Sequence, residues 1–164
     1  MNLARRAARR LGSLSALSSA LLLISAAPGS IEAQVPAQPA GVQNTQRAWQ
    51  NWTLNCQGCH RPDGTGSTAT TPSVAGTVSR FLSVDRGREY LARVPGVATS
   101  PLTDADLAEV LNWMLWRFDP EHLPANFLTF SAAEVGDLRK RPLRLEASQM
   151  RSELLAEADS GRTP

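Results

Sequence analysis

Trp52-Thr53-Leu54-Asn55-Cys56-Gln57-Gly58-Cys59-His60-Arg61-Pro62-Asp63-Gly64-Thr65-Gly66 holds both cysteines of this 164-residue chain and one of its two histidines. The spacing Cys56-x-x-Cys59-His60 is that of covalent haem attachment. Two thiols three positions apart on a tight turn reach two neighbouring carbons on one edge of a porphyrin. The adjacent imidazole then meets the iron from one face. The competing readings explain less. A zinc site needs further Cys or His ligands nearby, and the other histidine, His122, is sixty-two residues away. A thioredoxin-like pair needs a βαβ context, which the pattern lacks. A disulfide between Cys56 and Cys59 leaves His60 without a role.

Upstream, residues 1–33 have the three parts of a secretory signal. Arg5, Arg6, Arg9 and Arg10 form the basic end, Leu11–Ala27 is apolar but diluted by Ser and Gly, and Ile31-Glu32-Ala33 offers the cut. The other reading is a retained anchor, but the stretch falls short of the ~20 strongly apolar residues of a membrane span. The paired arginines suit the twin-arginine route, whereas haem attachment to an unfolded exported chain suits the general one. The expected location is the periplasm, with membrane anchoring disfavoured. Residues 34–44 read as a linker. The whole chain carries 17 basic and 15 acidic residues. Losing residues 1–33 removes four Arg and one Glu, leaving 13 against 14, a net charge of −1. No basic stripe marks a nucleic-acid binder.

Downstream, the pattern is helical throughout and no strand of any length is expected, so the fold class is all-α. A short helix is predicted from Thr45 to Leu54 with Ala48, Trp49 and Trp52 on overlapping faces. Cys56–Gly76 is irregular, Thr77–Val94 helical with a break near Gly87, and Pro95–Pro101 a loop. The clearest helix starts at Thr103, whose hydroxyl caps it opposite Asp106. Leu107, Val110, Leu111, Met114 and Phe118 follow at helical spacing, and Asp119-Pro120 ends it. Ser131 with Glu134 repeats the capping signal for a helix to about Lys140. A last amphipathic segment, Leu145–Ala158, is predicted to lie on the surface. Leu123–Phe130 is expected to wrap back on the core through Phe127 and Phe130.

The stretch around the attachment motif resembles the start of class I (mitochondrial-type) c-type cytochromes. That family has an aromatic residue four positions before the first Cys, here Trp52, and a glycine-rich turn after the His. It also has a Pro twelve residues on, here Pro72 of Pro72-Ser73-Val74-Ala75-Gly76. The resemblance implies a cytochrome c-like fold around one covalently bound haem c over residues 45–120, with extra helices in 121–164. It implies that the Pro72 carbonyl accepts from the second ring nitrogen of His60, raising its basicity, and that Val74 packs on the haem face. Trp113 would take the aromatic position of the last family helix, against Trp49 and Trp52.

One family feature is missing. The sixth iron ligand is commonly a Met in the loop before that last helix, and Val94 stands there, in Leu91-Ala92-Arg93-Val94-Pro95-Gly96-Val97. Between Met1 and Met114 there is no Met. The options are an open or water-bound iron under Val94 or Val97, His122, Met114, or Met150 and partner-supplied groups. Arg93 is the nearest polar side chain to that loop, and a solvated or ion-paired Arg is its plainer reading. Two strong ligands suit electron transfer; an open position permits small-ligand binding or activation. The expectation is an electron carrier rather than an enzyme, serving a redox protein such as a periplasmic dehydrogenase or oxidase. A small-ligand haem protein and an assembly subunit are the alternatives. Arg139-Lys140-Arg141-Pro142-Leu143-Arg144 reads either as a solvated helix end or as a docking patch for an acidic partner.

Overall fold

The computed structural model describes residues 38–67 and 71–161, so the signal segment lies outside the described residues. The helices are α1 (Thr45–Asn55), α2 (Gln57–His60), α3 (Gly87–Arg93), α4 (Pro95–Ala98), α5 (Asp104–Phe118), α6 (Ala132–Leu138) and α7 (Ala147–Asp159). Tight 3-10 turns cover Val78–Ser83 and Pro120–His122. Among the described residues the only β pairing is an isolated bridge between Ser67 and Thr71. The fold is all-α and cytochrome c-like.

Capping sets the helix starts. Asn44 accepts from the Arg47 N–H at 2.9 Å, Thr103 from Asp106 at 3.1 Å and Ser131 from Glu134 at 3.2 Å. Each side-chain oxygen satisfies a donor that the first turn leaves free. Several boundaries differ from expectation, among them Gln57–His60, a helical turn inside the stretch read as irregular. Pro95–Ala98 is one helical turn rather than a loop, because Pro95 at its first position needs no N–H partner there. The 132–138 helix stops at Leu138, before Lys140.

α1 and α5 cross at an aromatic cluster. The Trp52 ring lies 4.7 Å from Phe118 and 6.0 Å from Trp113, and Trp113 meets Phe118 edge-on at 5.6 Å. Ala48 and Trp52 are buried, but Trp49 is 47% exposed, so it points away from this contact. The helical turn sends positions 48 and 52 to one face and 49 to another.

Three buried polar side chains stitch distant segments into this core. Glu109 Oε1 accepts from the Gln43 and Asn44 N–H groups at 2.8 Å, and Oε2 from Arg47 at 2.8 Å. Val42 beside them is buried, so the end of the 34–44 linker is docked rather than free. Asn112 exchanges hydrogen bonds with the backbone of Phe130 at 2.8 and 3.0 Å, fixing where the chain returns after α5. Asp119 accepts from the Ser79 N–H at 2.8 Å.

The residues after Phe118 belong to the same compact unit as those before it. Phe130, Val135, Leu143, Met150 and Leu154 are all buried, while Phe127 packs at the margin of the core. The last helix lies on the surface as expected, but its inner stripe is part of the core. α7 lies on the Val78–Ser83 turn and on α3, with Met150 and Leu154 turned inward. Its many charged positions occupy the outer face and conceal an inner stripe too short to stand out in the pattern.

Candidate functional site

Cys56 closes α1 with its N–H on the Trp52 carbonyl at 2.8 Å, and its own carbonyl accepts from Cys59 and His60 at 3.2 and 3.0 Å. That single turn brings Cys56, Cys59 and His60 to the wall of one cavity of about 470 Å³. Its size falls within the roughly 300–1,000 Å³ of cofactor sites. Arg61, with φ 64°, ends the turn, and the chain doubles back so that Gly66 donates to the His60 carbonyl at 3.0 Å. A Cβ on Gly66 would lie 2.3 Å from the Thr71 carbonyl oxygen and 2.8 Å from that of Pro72. Glycine is what allows Pro72 to be folded against the histidine.

The His60 ring lies 5.7 Å from Trp52, and its Nδ1 is buried without a hydrogen-bond partner. Burial depresses the His60 pKa; the neighbouring Pro72 carbonyl opposes this and the Arg151 charge adds to it. The carbonyl thus acts on the ring electrostatically, although Nδ1 is not within hydrogen-bond geometry of it. The neutral imidazole is the form with a lone pair for a metal. Burial, with the nearby Cys59, pushes the Cys56 thiol up to about 11. A thiol held neutral is a poor thiolate ligand. Among the described residues no group of three or more His, Cys, Asp or Glu is placed to hold a metal ion.

Pro72 and Val74 line the cavity, as do Val94, Val97 and Met114. The other sequence candidates do not. His122 is 47% exposed in its side chain, and its Nδ1 meets Asp119 at 2.6 Å. Met150 is buried beside the Arg86 guanidinium, away from the cavity. Arg93 pairs with Glu89 and donates to the Arg141 carbonyl at 2.6 Å. The basic run 139–144 is neither wholly solvated nor an open patch. Arg139 donates to the carbonyls of Ala98, Ser100 and Leu102 and pairs with Asp104.

Several cavity residues escaped sequence reasoning: Phe81 and Tyr90, which stack at 4.9 Å, and Ala147, Ser148 and Arg151 of α7. Tyr90 stands four residues before Val94, a helical step that pointed to it. Arg151 carried no such signal, since one arginine in a charged helix looks like a solvated one. Its guanidinium donates to the Ser73 carbonyl at 3.1 Å and lies 5.5 Å from the Phe81 ring.

No protein-family model matches the chain. Two curated relatives do. A cytochrome c-552 of Thermus thermophilus is 32% identical over 106 residues, covering 54% of this chain and 81% of the relative. A second cytochrome c-552, from a named strain of the same species, is also 32% identical over 106 residues, covering 72% of its own length. The chain belongs to the c-type cytochromes.

The residues of this cytochrome fit a haem, a flat apolar disc with two carboxylates on one edge. α5 presents Leu107, Val110 and Leu111 to the cavity as apolar wall. The orphaned buried polar atoms among the described residues, Trp52 Nε1 and His60 Nδ1, belong to side chains of that same wall. Arg151, also on the wall, pairs with no carboxylate among the described residues, a cation matched to an anionic cofactor edge.

Proposed function

We propose that the chain is a periplasmic electron-transfer cytochrome of class I, carrying one haem c. Cys56 and Cys59 would hold the haem as thioethers, and His60 would ligate its iron. What carries this reading is the convergence of Cys56, Cys59 and His60 on the wall of a single haem-sized cavity. When bound, the haem iron takes up and releases one electron.

The chain's own residues set the conditions for that exchange. His60 would offer Nε2 to the iron, and its Nδ1 is buried without a partner near the Pro72 carbonyl, the acceptor it would use. Closing that bond fixes the tautomer and strengthens the ligand. Val74 and the apolar face of α5 exclude water, which keeps the environment of the iron similar in both oxidation states. Cys59 is exposed, so the attached edge is the natural point of electron entry and exit toward a redox protein such as a periplasmic dehydrogenase or oxidase. Export would follow from cleavage near Ala33. Among the described residues no helix is long and apolar enough to cross a membrane.

Attachment is tested on protein exported from a host competent in haem attachment, by haem staining after denaturing electrophoresis. Cys59→Ala is expected to retain haem through one thioether at most, and Cys56→Ala/Cys59→Ala none. Fully normal covalent haem in Cys59→Ala would overturn the reading. Stoichiometric reduction and reoxidation of the wild-type protein by one electron tests the carrier role.

A further inference from the structure

Val94, Pro95, Gly96 and Val97 line the cavity with side chains that neither ligate iron nor move protons. What holds them there is outside the cavity. Arg139 donates to the Ala98 and Leu102 carbonyls at 3.2 and 2.9 Å and to that of Ser100. The Leu143 N–H donates to the Arg93 carbonyl at 2.8 Å, and Arg93 Nε to the Arg141 carbonyl at 2.6 Å. The segment is thus pinned at both ends by residues 139–143. It needs no bond to a metal to keep its shape.

No other residue is placed to take over as ligand. His122 is turned to Asp119 and Met150 lies off the cavity. Met114 does line it, but as one member of the α5 stripe with Leu107, Val110 and Leu111, packed in the hydrophobic core. Tyr90, one helical turn before Val94, and Ser100 also line the cavity, whereas Arg151 is tied to Ser73, next to the Pro72 that neighbours His60.

Resting on the haem reading above, we propose that the sixth coordination position of this cytochrome is left without a protein ligand, and that the Val94–Val97 wall makes it a site for a small neutral diatomic, carbon monoxide or nitric oxide. Charge decides the class. The side chains of Val94–Val97 offer an anion such as cyanide or azide no donor, and burying an unpaired charge is costly. A neutral diatomic loses little hydration on entry. The same wall provides no side-chain acid for O–O cleavage, so the site binds rather than activates. Because such ligands prefer the reduced metal, occupancy would hold the carrier reduced and halt electron delivery.

The test titrates the dithionite-reduced full-length holoprotein with carbon monoxide, following the Soret band, with haem staining of the same samples. We expect saturable binding in the wild type, and binding within about twofold of it in Met114→Leu, a volume-conserving exchange that cores tolerate. A low-spin spectrum unmoved by carbon monoxide overturns the proposal. If Met114→Leu or His122→Ala then gains binding, that residue is the ligand. Covalent haem without carbon monoxide binding removes this proposal alone; absence of covalent haem removes the reading beneath it. In the ferric protein, cyanide at the same concentration is expected to bind at least tenfold more weakly than in a haem site with a distal donor.

Discussion

The cavity has two walls, and they are built in opposite ways. Residues 56–74 make theirs locally: one helical turn presents Cys56, Cys59 and His60, and a glycine turn returns Pro72 to the histidine six residues after Gly66. Residues 90–100 contribute a wall that does not hold itself. It is pinned by Arg139, forty-one residues from Ala98, and by Leu143. The cavity is completed by Arg151, seventy-eight residues from its partner Ser73. The contrast teaches that chemistry has to be close in sequence where covalent geometry demands it. A wall only has to be rigid, and any segment of the chain may brace it.

The largest expected effects test whether the two walls share one core. Trp52→Ala, at the aromatic crossing, is expected to cost about 3–5 kcal/mol, and Leu154→Ala on α7 about 2–5 kcal/mol. Both are measured by urea unfolding of the holoprotein. A Leu154→Ala change within about 0.5 kcal/mol, the range of surface substitutions, would break the comparison by showing that α7 merely decorates the fold.

Smaller effects sharpen it. Burial pushes the Glu109 pKa up, but Arg47 and the Asn44 and Gln43 N–H groups outweigh this and hold it below its usual 4.5. Its stabilisation is therefore complete above that ordinary value and is lost as pH falls through the lowered one. Glu109→Gln should cost about 1.5–3 kcal/mol at pH 7, the worth of charge-assisted hydrogen bonds, with the gap to wild type closing in acid. Unfolding curves over a pH series would show it, and a pH-independent gap would deny the role of the charge. Arg139→Gln should cost a similar amount, about 1.5–3 kcal/mol, because it leaves carbonyls of the bracing contact without their donor. Lys140 next to it pairs with Asp137 where both side chains are over 70% exposed. Lys140→Gln should leave the unfolding curve close to that of the wild type, as exposed ion pairs contribute little, and equal losses at 139 and 140 would erase the distinction drawn between them.

Much of the local wall was legible in the residues. The cysteine spacing, the following histidine and the α5 stripe were readable because each depends on a short repeat or a fixed offset, while Pro72 was reached through the family resemblance. The capping pairs at Thr103 and Ser131 were readable for the same reason. Trp49 was misjudged because adjacent aromatics on a helix look equivalent until a partner chooses a face. Arg139 could not be told from its exposed neighbours in the 139–144 run, because charge density in a sequence does not distinguish a guanidinium facing water from one facing carbonyls.

By itself, the sequence determined the all-α class, the candidate attachment set Cys56, Cys59 and His60, and the lack of a methionine in the loop before α5. Those follow from composition and from offsets of a few residues, which the chain cannot alter on folding. Only the tertiary structure decided that α7 buries Met150 and Leu154 in the core, that Arg151 reaches the cavity, that His122 does not, and that Arg139 and Leu143 brace the wall bearing Val94. Such contacts join segments forty or more residues apart, and their register is set by how whole helices pack rather than by any local preference.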